Sequence, residues 1–187
     1  MSLLSKAVYR PAAMVLTVAA VGFFATPLSY ADESGESGSD EQRVIPVVAT
    51  SDPSNTSWEG ANAEVNQIQR SESSNYTSLT WSVRNNSQQD INFTDFSESG
   101  YVYEVLSTSG VTLLDEKNGI RYYPYIDSEE HCVCSGPGYS SGSGQFHAIV
   151  QPEGYATYWD AYKLSEDTTE VTVEIPGFLP IQNVPVE

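Results

Sequence analysis

Positive charge is scarce in this sequence. Eight Lys and Arg stand against 25 Asp and Glu, a formal net charge of −17. Phosphate backbones and anionic bilayers repel so acidic a chain, which argues against nucleic acid and anionic membrane surfaces as partners. Histidine and cysteine are scarce too, at two each. Two His leave little to act as a catalytic base, and two Cys exclude the paired Cys-x-x-Cys frameworks of structural zinc sites. The low-complexity stretch Ser140-Ser141-Gly142-Ser143-Gly144 contains no Gly-x-Ser-x-Gly elbow of serine hydrolases, and the Asp-x-Asp-x-Asp-Gly loop of calcium sites is missing. Carboxylate pairs for glycoside hydrolysis carry no information among 25 acidic residues. Neither an internal repeat nor an apolar stripe at helical spacing is visible. These absences leave no catalytic signature, and no cofactor is implied.

The first charges are Lys6 and Arg10, and an apolar run from Ala12 to Ala25 follows them. The run is shorter than the roughly 20 residues a spanning helix needs. Small residues at Ser29 and Ala31 complete the pattern of a cleavable secretory signal over residues 1–31, with the cut between Ala31 and Asp32. No transmembrane segment is expected after cleavage, and the mature chain is two units more negative because Lys6 and Arg10 leave. Residues 32–57 are rich in Asp, Glu, Ser and Gly. They bury too little apolar surface to offset ordering entropy, so a disordered acidic leader is expected there. Val44-Ile45-Pro46-Val47-Val48 is an apolar interruption in it.

Twelve Tyr and three Trp beside only two Met favour pleated sheet over helix. Thr77 to Arg84 alternates cleanly, with Leu79, Trp81 and Val83 on one face. Ala63 to Arg70 reads as its antiparallel neighbour, although the alternation slips at Ile68. Ile91 to Phe96 and Tyr101 to Leu106 are further short runs. Val111–Leu114 and Ile120–Tyr123 flank Asn118-Gly119, the strongest short hairpin signal, since both residues tolerate positive φ. Gln145–Val150 and Tyr155–Tyr162 flank a Pro-Glu-Gly turn, and Glu170–Ile175 alternates again, with Val171, Val173 and Ile175 inward. About eight short strands separated by turn signals predict an all-β, antiparallel immunoglobulin-like sandwich over residues 58–187. A monomer is expected.

Four stretches carry a resemblance: Leu79-Thr80-Trp81-Ser82-Val83-Arg84-Asn85-Asn86, Gly110-Val111-Thr112-Leu113-Leu114-Asp115, Arg121-Tyr122-Tyr123-Pro124-Tyr125-Ile126-Asp127 and Cys132-Val133-Cys134-Ser135. With Tyr158-Trp159 and the closing Val171–Pro185, they resemble a secreted immunoglobulin-like β-sandwich domain of high-GC Gram-positive bacteria. The resemblance covers most of residues 63–187. It implies a secreted or extracellular, envelope-associated protein that meets an envelope or extracellular protein or a glycan, and it brings no catalytic residues.

Cys132 and Cys134 are the informative pair. An even cysteine count in an exported chain points to a disulfide, here closing a very small loop in the Ser- and Gly-rich stretch 127–144. The competing reading is a soft-metal site, with His131, Cys132 and Cys134 holding Cu or Zn and His147 as a fourth ligand. A redox-active disulfide lacks its usual Cys-x-x-Cys spacing at a helix N-terminus. Asp127, Glu129 and Glu130 read as a solvated acidic loop, and the serines of Ser140–Gly144 as flexible linker sequence. Tyr122, Tyr123, Tyr125, Tyr155, Tyr158, Trp159 and Tyr162 offer an aromatic ligand platform, half of which strand spacing assigns to the core.

Overall fold

A computed structural model describes residues 45–97, 107–136 and 147–187. The expected signal peptide, the leader up to residue 44, the Tyr101–Leu106 run and the Ser140–Gly144 loop lie outside the described residues. Ten strands are found among those described: β1 (Ala49–Ser51), β2 (Ala61–Arg70), β3 (Thr77–Asn85), β4 (Ile91–Asn92), β5 (Thr112–Asp115), β6 (Ile120–Tyr122), β7 (Ile149–Val150), β8 (Gly154–Tyr162), β9 (Glu170–Glu174) and β10 (Ile181–Pro185). One sheet runs β1-β2-β3-β8, the other β10-β9-β5-β6, and β4 pairs with β7 in a short ribbon. All pairings are antiparallel. The chain is all-β in its described part, its only helical turns being 3-10 turns at Thr56–Trp58 and Phe93–Phe96.

The alternation of β3 sets the core. Leu79, Trp81 and Val83 are fully buried, and β2 answers them with Ala61, Ala63 and Val65. The slip at Ile68 is a β-bulge between Val65 and Gln67, whose extra residue resets the parity and returns Ile68 to the core. From β8 come Tyr158 and Tyr162, and from the second sheet Leu113, Val171, Val173, Ile181 and Val184, in one continuous cluster. Tyr162 spans the layer, its hydroxyl donating to the Val111 carbonyl at 2.9 Å. Trp81 is the centre, edge-on to Phe96 at 5.3 Å and tilted against Tyr158 at 4.8 Å.

The ordered fold starts well before residue 58. β1 pairs with β2 through Ala49↔Val65, and the Val48 amide reaches the Val65 carbonyl at 2.8 Å. Asn55 caps the turn that carries Trp58 into the core, against Phe178 at 5.5 Å and Phe96 at 6.1 Å. The leader expected over 32–57 is therefore structured from residue 45 onward, because its backbone finds the edge of β2 to pair with, while Ile45, Val47 and Val48 stay exposed.

Other expectations shift in detail. The Ile91–Phe96 run extends only to Asn92, whose side chain accepts from the Thr94 amide at 3.1 Å and starts a 3-10 turn. β7 pairs with β4, not across the Pro-Glu-Gly turn with β8. The β5–β6 hairpin exists, but Gly119 alone takes positive φ, at 66°. Asp115 holds its four-residue loop by accepting from the Asn118 amide and side chain at 3.0 and 2.9 Å. β10 follows the Pro-Gly-Phe turn and stands at a sheet edge, where Pro185 is tolerated.

Gly177 makes that turn possible. Its φ is 84°, and a Cβ there would land on the Trp58 ring. Gly177→Ala is expected to destabilise the fold by about 2 kcal/mol through overpacking, with left-handed strain in addition. Urea unfolding of the variant beside the parent measures it; an unchanged midpoint contradicts the packing described for Trp58.

Candidate functional site

The two cysteines form a disulfide, with Cα atoms 5.2 Å apart. The segment that carries them is fixed by its backbone. Val133 donates to Tyr125 at 2.8 Å, Ala161 to Val133 at 2.9 Å and Ser135 to Trp159 at 2.8 Å. Bridges Ile126↔Cys132 and Cys134↔Asp160 complete the pairing, so residues 132–135 cover the outer edge of β8. Ser135 reinforces it, its hydroxyl accepting from the Trp159 amide at 2.8 Å. Cys132 is 8% exposed and Cys134 1%.

Across that bridge lies the most unusual group in the core. β8 sends Ala156, Tyr158, Asp160 and Tyr162 inward, so a carboxylic acid occupies a position that strand parity reserves for an apolar side chain. Asp160 is fully buried. Trp81 Nε1 donates to its Oδ2 at 2.7 Å, and the Thr108 hydroxyl pairs with its Oδ1. Both partners are neutral. Burial pushes the carboxyl up to about 7, although the hydrogen bonds from Thr108 and Trp81 pull it the other way. Thr108 Oγ1 also stands 3.3 Å from the Ser135 carbonyl. One hydroxyl hydrogen cannot serve both acceptors. A proton on Asp160 Oδ1 resolves the conflict: Asp160 donates to Thr108, and Thr108 donates to Ser135.

The proposed metal ligands do not assemble. Both sulfurs are spent on each other, and among the described residues no three His, Cys, Asp or Glu side chains converge on a point. His131 Nδ1 faces Glu129 Oε2 at 3.8 Å and Asp127 Oδ1 at 4.0 Å. Asp127 caps its own turn by accepting from the Glu129 and His131 amides at 2.8 and 3.0 Å. His147 precedes β7 and is exposed, its carbonyl accepting from the Tyr158 hydroxyl at 3.1 Å.

The aromatic residues divide as strand parity requires. Tyr158 and Tyr162 are core, while Tyr155 and Trp159 stand on the outer face of β8. That face is built in three rungs. In the first, Glu64 Oε1 accepts from Arg84 Nε at 3.0 Å and the Arg84 guanidinium lies 4.8 Å over the Tyr155 ring. In the second, Ser82 donates to Asn66 at 2.7 Å and meets the Thr157 hydroxyl at 3.0 Å. The third pairs Thr80 with Trp159, which is 38% exposed. Glu64 Oε2 is enclosed with no hydrogen-bond partner among the described residues. Tyr76 and Tyr125 form a separate edge-on pair at 4.9 Å.

Sequence reasoning did not single out Asp160, Thr108 or Trp81 as a cluster. The legible signal was Asp160 itself, an acid at an inward position between Tyr158 and Tyr162. Compared with known proteins, the chain matches no family model, no curated protein and no solved structure. Nothing in the comparisons or among the described residues points to catalysis. Nor is any described helix long and apolar enough to cross a membrane.

Proposed function

We propose that the chain is an exported, non-catalytic binding module of the cell envelope, with an immunoglobulin-like sandwich as scaffold and the outer face of β8 as contact surface. Strand order supports the scaffold reading. β3 neighbours β8 in one sheet, β5 neighbours β9 in the other, and hairpins β5–β6 and β9–β10 flank that second pair. This order supports a reading of the two sheets as the B–E and C′–C–F–G strands of an immunoglobulin-like sandwich. Residues 132–135 then take the place of the D strand beside E.

The observation that carries the binding reading is Trp159: a large ring half open to solvent on a sheet face otherwise lined by hydroxyl, amide and charged groups. An amphipathic ring beside fixed polar groups suits a glycan or a protein surface of the envelope, since Tyr and Trp supply contact area at small entropic cost. The acidity of the chain favours neutral or cationic partners.

Co-sedimentation of the purified mature chain with isolated envelope material tests this. The chain is expected in the pellet, and Trp159→Ala is expected to weaken binding by about 10-fold or more without changing the unfolding midpoint much. Equal recovery of parent and variant in the supernatant would sink the assignment.

A further inference from the structure

Tyr155, Thr157 and Trp159 follow one another along the outer face of β8, each about 7 Å from the next. The three positions offer different chemistry. At the first, the guanidinium of Arg84 lies over the Tyr155 ring and its Nε is held by Glu64. The Glu64 side chain is nine-tenths buried, with one oxygen on this bond and the other without a partner among the described residues. Such a carboxylate is costly to keep, and what it does here is hold Arg84 in place. The Arg84 side chain is 47% exposed, and its two Nη groups meet no acceptor among the described residues. They are donors already fixed in position.

At the second position a single proton sets the direction. Ser82 has one hydroxyl hydrogen and gives it to Asn66 Oδ1 at 2.7 Å, so Thr157 donates to Ser82 across their 3.0 Å contact. The half-buried Thr157 oxygen keeps its lone pairs and is an acceptor. At the third position the Trp159 ring is an apolar surface, 38% exposed. We propose that this row binds a neutral polysaccharide of the envelope, laid along β8. The proposal rests on the binding role above and names the chemistry of its partner.

A chain of sugar rings carries every complement at once. Its C–H faces suit Trp159, its hydroxyls donate to Thr157, and its oxygens accept from Arg84. Small molecules favour concave sites, whereas an open strand surface suits an extended polymer whose units repeat as the strand positions do. Charge narrows the class. Arg84 and Glu64 cancel, and a chain of net charge −17 repels polyanions, so a neutral polymer is favoured over an acidic one. At the Tyr155 end, a shallow hollow of about 260 Å³ between His147, Ile149, Gln151 and Tyr155 gives the polymer room to continue.

The test is co-sedimentation of the mature chain with envelope material of its native host, untreated and after boiling in detergent and protease digestion have removed protein. The chain is expected to pellet equally with both, and to stay pelleted in high salt, since a neutral polymer leaves no attraction to screen. Arg84→Lys keeps the charge and loses the planar fork, and is expected to weaken binding to the stripped polysaccharide about 10-fold. Thr157→Val is expected to weaken it about 5-fold, the share of one hydrogen bond. Circular dichroism checks that both variants fold, and the parent comparison needs neither of them. A chain that pellets with untreated envelope but not with the stripped polymer has a protein partner, which overturns the polysaccharide and leaves the binding role standing. Pelleting with neither removes that role as well. Release by salt, or folded variants that bind like the parent, also overturns the proposal.

Discussion

Trp81→Ala is expected to remove about 3–5 kcal/mol of stability, the range for emptying a buried aromatic site. That is a large part of the roughly 5–15 kcal/mol that holds a domain of this size. Two effects combine. The ring fills the centre of the core between Phe96 and Tyr158, and neither neighbour can collapse into the space without leaving its own contacts. The indole also donates to a carboxylic acid with no access to water. Trp81→Phe separates the effects, because it keeps most of the ring and drops the donor. It is expected to cost about 1–3 kcal/mol, and more at pH 8 than at pH 5, since a charged acceptor loses more than a neutral one. Urea denaturation of both variants at the two pH values measures this. A Trp81→Ala loss below about 1 kcal/mol would contradict the core described.

Stability is expected to fall as pH rises from about 4 to about 7, and Asp160→Asn is expected to abolish that slope. The sign follows from where the proton sits. Asp160 keeps its proton in the fold up to about 7, whereas the unfolded chain releases it near 3.8. The folded state therefore binds more protons between those values, and its advantage is complete below the lower one and lost through the upper one. Three pH units correspond to about 4 kcal/mol at most. Asp115 acts in the opposite direction. The Thr168 hydroxyl, and after it Asn118, hold its carboxyl below the ordinary range, so its contribution is lost only on acidification. Urea midpoints at pH 5 and pH 8 thus isolate Asp160. A parent chain equally stable at both would show that Asp160 is not held protonated.

The regular strands were legible because burial imposes period-two patterning. Leu79-Trp81-Val83 and Val171-Val173 are inward as read, and even the slip at Ile68 proved to be a real irregularity, a bulge. β1 and β10 were not legible. Both are short edge strands: β1 has only three residues, too few to show a period, and an irregularity between Ile181 and Val184 breaks the alternation of β10. The Asn-Gly signal found the right hairpin with the wrong turn, because Asp115 stabilises a longer loop that needs one left-handed residue rather than two. Of the candidate site residues, Cys132 and Cys134 are joined as their even count implied, whereas His131 turns to Asp127 and Glu129 and His147 stands apart from them. The Asp160 cluster was hidden for a different reason. It depends on contacts between residues 52 and 79 positions apart, which no local pattern encodes.

We propose that this chain works outside the cytoplasm with its cysteines joined. The intact mass of the protein recovered from the extracytoplasmic fraction of its native host, before and after reduction, tests that most directly. The expected species is a chain beginning at Asp32 that gains about two mass units on reduction. A full-length chain beginning at Met1, retained in the cytosol with free thiols, would contradict it.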